Sequence, residues 1–193
     1  MLTEIIFYGR GGQGGVTAAS ILVEAAMYDN LHGQAFPFFG AERRGAPVTA
    51  FARISNKPIL RHGMFYDADI LVVLDPSLIT SGVVKRVTVR RNGIVVANVR
   101  DPSLIKKEWF TRQGDFKGYW VNATEIAEKL NLVVAGWPVV NTAMLGALVK
   151  AAGIVSVDSV KRAVKHYFPG KPGEVNAEAV VRAYEETREV EVM

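Results

Sequence analysis

Glu4-Ile5-Ile6-Phe7-Tyr8 runs without a break into Gly9-Arg10-Gly11-Gly12-Gln13-Gly14-Gly15, and that glycine run into the segment Val16 to Asn30. The first piece is rich in Ile and aromatic residues, the pattern of a short strand buried on both faces. The third places Ala18, Ala19, Leu22, Ala25 and Ala26 along one helical face, small enough to lie close on a sheet. Gly33 then reads as the stop that ends this unit, and Gln34 to Phe39 as a second strand. Strand, glycine turn, helix and strand in this order open an α/β fold.

The remainder of the chain continues the alternation. Gly40 to Pro47 is a charged, glycine-containing loop. Val48 to Ser55 alternates apolar and polar residues as a half-buried strand does. The turn Asn56-Lys57-Pro58 leads to Ile59–Arg61, expected to return as its antiparallel partner. Ile70 to Leu74 is a buried strand ended by Asp75-Pro76, and Gly93–Val99 and Tyr119–Asn122 are further strands. Helices are expected from Thr124, over Val139–Ala152, and from Ser156 or Asp158. Pro169 to Gly173 reads as a turn, after which Asn176 caps the last helix. The expectation is a three-layer α/β/α sandwich with a mostly parallel, mixed sheet, one domain over residues 1–193, and a frayed tail at 188–193.

Composition excludes several function classes. The chain has 49% apolar and 22% charged residues, enough to build a core and unlike a disordered chain. The net charge is +4, but the basic residues, among them Arg53, Arg61, Lys85, Arg86, Arg90 and Arg91, are interrupted by apolar ones and form no tract that would track a nucleic acid. With no cysteine there can be no disulfide, no thiolate metal site and no Cys-ligated iron–sulfur cluster on this chain. His32, His62 and His166 lack metal-ligand spacing. The N-terminus lacks the pattern of a secretory leader and no apolar run approaches a membrane span, so the expected compartment is the cytoplasm.

Gly9, Gly11 and Gly14 satisfy G-x-G-x-x-G between a strand and a helix. Glycine permits the tight turn and the close approach of a ligand, and the helix N-terminus presents N–H donors to it. The loop therefore suits a phosphate or carboxylate, or packs the helix on the sheet with nothing bound. A dinucleotide fingerprint also needs an acidic residue after the second strand. Phe38-Phe39 stand there, and Asp29 comes too early.

The fuller strings are more specific. Gly9-Arg10-Gly11-Gly12-Gln13-Gly14 resembles the opening of the gamma subunits of 2-oxoacid:ferredoxin oxidoreductases. Phe36-Pro37-Phe38-Phe39-Gly40-Ala41-Glu42-Arg43-Arg44-Gly45-Ala46-Pro47-Val48 is similar to the pyruvate-type form of a second loop of that family. Asn141-Thr142-Ala143-Met144-Leu145-Gly146-Ala147 adds a third match. Arg43-Arg44-Gly45-Ala46, in place of Met or Gln before Arg-Gly-Gly, favours the pyruvate or branched-chain type.

The resemblance implies a subunit of an enzyme converting a 2-oxoacid, CoA and oxidised ferredoxin to an acyl-CoA, carbon dioxide and reduced ferredoxin. It implies alpha, beta and ferredoxin-like delta partners that carry thiamine diphosphate, Mg and [4Fe-4S] clusters, with no cofactor held by this chain alone and no catalytic residue on it. The candidate binding residues are Gly9, Arg10, Gly11, Gly12, Gln13 and Gly14 in the first loop and Glu42, Arg43 and Arg44 in the second. An Arg fork can hold a phosphate or carboxylate, fix the register of a subunit interface, or make only surface salt bridges. With parallel strands side by side, both loops would share one sheet edge. Asn141 is read as a helix cap, and Trp120 and Trp137 as core or interface.

Overall fold

The computed structural model describes residues 1–38, 45–111 and 114–192. Strand β1 (Leu2–Arg10) leads into helix α1 (Gly15–Tyr28), β2 (His32–Phe38), β3 (Pro47–Ser55) and β4 (Asp67–Val73). The short α2 (Ser77–Thr80) and a 3-10 turn at Val83–Arg86 precede β5 (Thr88–Asn98). After α3 (Lys107–Phe110) come β6 (Phe116–Val121), α4 (Ala123–Lys129) and a small hairpin of β7 (Val133–Val134) and β8 (Trp137–Pro138). Helices α5 (Asn141–Ala152), α6 (Val157–Tyr167) and α7 (Lys171–Glu186) and strand β9 (Arg188–Val190) complete the chain.

Among the described residues, seven strands form one sheet in the order β2-β3-β1-β4-β5-β6-β9. β1, β4, β5 and β6 are mutually parallel, whereas β3 runs antiparallel to both β1 and β2, and β9 antiparallel to β6. The mostly parallel, mixed sheet is thus as the sequence predicts. Successive side chains of β1 serve opposite faces. Ile5 and Phe7 join α1, α5, α6 and α7 in one core, while Ile6 and Tyr8 join Leu78, Ile79, Val84 and Phe110 in the other. The second outer layer is thin, built from short helical pieces rather than full helices. Each large apolar side chain sunk completely in these cores contributes about 1.5–3 kcal/mol.

Several expectations are corrected by the packing. Ile59–Arg61 is not a strand; β3 already has β1 on one edge and β2 on the other, so no edge is left for a hairpin partner. Arg188–Val190 does not fray but covers the edge of β6, pairing Val190 with Gly118, which satisfies a row of backbone groups that would otherwise stay open. α1 is terminated by Asn30 in the left-handed region, φ 58°, and Gly33 lies inside β2. A Cβ there would come within 2.7 Å of the Val23 side chain, so Gly33 is a close-packing glycine and not a stop. Asn176 sits in the interior of α7, which begins earlier because Pro172 fits the first turn. The Asn176 amide donates to the Pro172 carbonyl at 2.9 Å and accepts from the Thr142 hydroxyl at 2.8 Å, tying α7 to α5. Ser156 does cap α6, accepting from the Ser159 amide.

Candidate functional site

The chain leaves β1 toward the face that carries α1, and leaves β4 toward the opposite face, where α2 packs. These neighbouring parallel strands therefore diverge at their C-terminal ends. Such a divergence opens a crevice, the usual ligand position in an open α/β sheet.

Residues from both exits meet there. The Gln13 side chain closes the glycine turn, its oxygen accepting from the Arg10 amide at 2.7 Å and its NH2 donating to Asp75 Oδ2 at 2.6 Å. Asp75, just beyond β4, also accepts from the Ser77 amide at 2.8 Å and the Ser77 hydroxyl at 2.5 Å. Arg10 Nε donates to the Ser77 hydroxyl at 2.9 Å and lies 3.8 Å from the Asp75 carboxylate. Arg10 Nη1 donates to the Gly45 carbonyl at 2.9 Å, and the Gly11 amide to the Ala46 carbonyl at 3.0 Å. Because the amides of Arg10, Gly11 and Gln13 are engaged within the protein, the glycine run is not an open cradle of N–H groups. By helix geometry, the donors without intrahelical acceptors are those of the first turn of α1.

Gly14 ends this turn at φ 79°. Its missing side chain makes room for Asn141, whose Cγ would lie 2.9 Å from a Cβ at position 14. Asn141 is 2% exposed and is the first residue of α5, not its cap; its side-chain oxygen accepts from the Thr142 amide at 2.9 Å. The third sequence match is therefore a contact of the first, which spacing along the chain does not reveal.

A cleft of about 720 Å³ opens over this floor, lined by Arg10, Gly11, Gly12, Gln13, Gly45, Asp75, Ser77 and, on its apolar side, Val134, Ala135 and Trp137 of the β7–β8 hairpin. The volume is of the size that holds a cofactor-sized ligand. Trp137 is exposed, whereas Trp120 packs against the second core.

The structure thus brings Gly9 to Gly14 together with Gly45 and Ala46. Glu42, Arg43 and Arg44 lie outside the described residues. Their flanks share the edge of the glycine loop, since Phe38 and Tyr8 both register with Thr49. The route differs from the expected one: β2 and β1 point the same way but are not adjacent, and β3 runs back between them. Asp75, Ser77 and the hairpin were not foreseen as site residues. The available signal was a polar pair just after the most apolar strand, at the end of a sheet where ligands bind.

A family model described as pyruvate ferredoxin/flavodoxin oxidoreductase matches residues 4–186. This chain belongs to that family. It is 47% identical over 191 residues to the Pyrococcus furiosus protein named pyruvate/ketoisovalerate oxidoreductases common subunit gamma, covering 99% of this chain and 100% of the other. It is also 47% identical to the pyruvate synthase subunit PorC of Methanothermobacter thermautotrophicus, covering 99% of each. Among solved structures it superimposes on the pyruvate oxidoreductase subunit PORC of Thermotoga maritima with a TM-score of 0.77 at 32% identity, covering 98% of this chain and 99% of that one. The resemblance read from the glycine string and the Glu-Arg-Arg-Gly string is therefore that of a full-length member of the family, aligned end to end with gamma-type subunits.

Proposed function

We propose that this chain is the gamma subunit of a ferredoxin-dependent 2-oxoacid oxidoreductase acting on pyruvate, and that it supplies part of the CoA site. In the whole enzyme, pyruvate, CoA and oxidised ferredoxin give acetyl-CoA, carbon dioxide and reduced ferredoxin. Alpha, beta and ferredoxin-like delta subunits complete the assembly in this reading. The chain has no cysteine, and the described residues contain no group of three His, Cys, Asp or Glu side chains placed to hold a metal. Its donor set does not fit a cluster or a magnesium-bound diphosphate, so thiamine diphosphate, Mg and the clusters are assigned to the partners.

The observation that carries the CoA reading is the crevice where β1 and β4 diverge. CoA joins a long, largely neutral arm to a nucleotide bearing phosphates. The crevice offers an Arg10 guanidinium and the first turn of α1 at one side and an apolar wall at the other. Asp75 offsets much of the Arg10 charge, so Arg43 and Arg44, between flanks that reach the same edge, are assigned the larger share of phosphate binding. A second reading, a subunit shared with a 2-oxoisovalerate enzyme, is favoured by the name of the Pyrococcus relative.

The test uses the assembled complex. The isolated chain is expected to show no pyruvate oxidation with CoA and a viologen acceptor, and turnover there would sink the reading. Arg43→Ala in the complex should raise the KM for CoA and spare that for pyruvate. Loss of one charge-assisted contact costs about 1.5–3 kcal/mol, a shift on the order of ten-fold or more. An unmoved CoA dependence in a normally assembled variant would make Arg43 an interface residue.

A further inference from the structure

The β7–β8 hairpin is built against several local preferences. Its two-residue turn, Ala135-Gly136, has φ 52° and 82°, the type I′ geometry that favours Asn, Asp or Gly at both places. Ala135 has neither a side-chain hydrogen bond to offset the left-handed conformation nor glycine's freedom. The strands beside it carry Val134, 63% exposed, and Trp137, 62% exposed, paired across the hairpin. Strain and exposed aromatic surface together, on an element with no core of its own, mark a place shaped by something other than folding.

The direction of that surface is decisive. Val134, Ala135 and Trp137 all line the cleft whose other wall is the glycine loop. They face a concavity, which suits a small ligand better than the flat surface of a partner protein. On the opposite wall the polar side chains are already engaged with one another: Gln13 with Asp75, and Arg10 with Ser77 and Gly45. At Gly12 a Cβ would meet nothing within 4 Å, so the backbone there borders open space. An exposed indole facing bare glycine backbone fits a flat ring, and Arg10 beside it fits a phosphate attached to that ring.

We propose that Trp137 is the stacking platform for the adenine ring of CoA, held at the cleft mouth by the Val133–Pro138 hairpin. This rests on the CoA reading above. The stack orients the nucleotide end so that the arm can extend toward the partner subunits; it takes no part in bond making.

The experiment compares Trp137→Phe and Trp137→Leu in the assembled enzyme, with adenosine 3′,5′-bisphosphate as an inhibitor against CoA and pantetheine as a truncated thiol substrate. Base–aromatic stacking predicts that Trp137→Leu raises the KM for CoA and the Ki of the bisphosphate by about ten-fold each, while Trp137→Phe stays within about three-fold. The KM for pantetheine, which lacks the base, should not change. If Leu and Phe behave alike, or if pantetheine is affected as strongly as CoA, the stacking assignment is overturned. If the variants no longer assemble with the larger subunits, the hairpin is a protein interface and the proposal falls. Arg43→Ala in the same series separates the two claims: a raised CoA KM there with no effect at Trp137 removes the platform and leaves the CoA reading, whereas no effect at either removes both.

Discussion

Two clusters of arginine and carboxylate sit at opposite ends of the same sheet and are built differently. At the N-terminal end of the parallel strands, Glu4 receives Arg53 Nε at 2.8 Å and Arg90 Nη2 at 2.5 Å. Arg53 also donates to Gln34 at 3.1 Å and to the Gly63 carbonyl at 2.9 Å, and its guanidinium lies between the rings of Phe36 and Phe65. Arg90 continues the network to Asp69 at 2.9 Å. Glu4 and Arg53 are 4% and 3% exposed. At the C-terminal end, the Arg10–Asp75 pair is longer, 3.8 Å, and borders an open cleft. A saturated, buried network specifies how strands assemble; a looser one at the mouth of a crevice leaves capacity for a ligand. Residue type alone does not separate the two.

The sharpest way to break the contrast is at the closed end. Arg53→Ala removes one partner of a buried pair and leaves Glu4 charged in the interior, which should cost about 3–5 kcal/mol. Thermal denaturation should show a melting point lower by roughly 10 °C, with the KM for CoA in surviving complex unaltered. A drop of only a degree or two would mean that this cluster is not structural.

At the open end, Gly14→Ala should cost about 2 kcal/mol, from the left-handed backbone and the collision with Asn141. Unlike Arg53→Ala, it should also impair CoA use, because Asn141 and the glycine turn move apart. Denaturant unfolding and CoA titration of the same preparation would detect both effects. If stability falls while CoA use is intact, the turn is a packing device only.

Acid provides a subtler probe. Burial raises the Glu4 pKa, but the hydrogen bonds and charges of Arg90 and Arg53 outweigh it, and the net shift is downward from 4.5. A carboxylate whose folded pKa is depressed adds stability that is fully present above its unfolded value and is lost as pH falls through the folded one. The stability gap between the native chain and Glu4→Gln should therefore be constant near neutrality and narrow below about pH 4.5. A gap that does not change with pH would place the Glu4 contribution in packing.

The smallest stability effect is expected for Arg10→Ala. Its side chain is 28% exposed, and partly solvated pairs are worth about 0–1 kcal/mol. The melting point should barely move while the KM for CoA rises. A large loss of stability instead would make the C-terminal cluster the equal of the N-terminal one and dissolve the distinction.

Much of this molecule was legible before any coordinates. The buried runs Glu4–Tyr8 and Ile70–Leu74, the glycine turn and the helices near residues 16–30 and 139–152 follow from local periodicity, which depends on near neighbours alone. The two loop strings led to the family for the same reason. Pairings between distant segments were not legible. Nothing in the residues around Ile59 says that β3 already has two partners, and nothing at Arg188 says that β6 has an open edge. Arg53 and Arg90 read as scattered surface charge, because only the register of β1, β3, β4 and β5 gathers them around Glu4.

The site divides in the same way. Its glycines and Arg10 are a contiguous string whose turn geometry is dictated locally, so sequence was enough to find them. Asp75, Ser77, Asn141 and Trp137 come from the far ends of other elements. They join the glycine loop because parallel packing sets the exit of β4 beside the exit of β1 and packs the start of α5 onto Gly14. Long-range packing, not local preference, decides which polar residue after which strand meets a ligand.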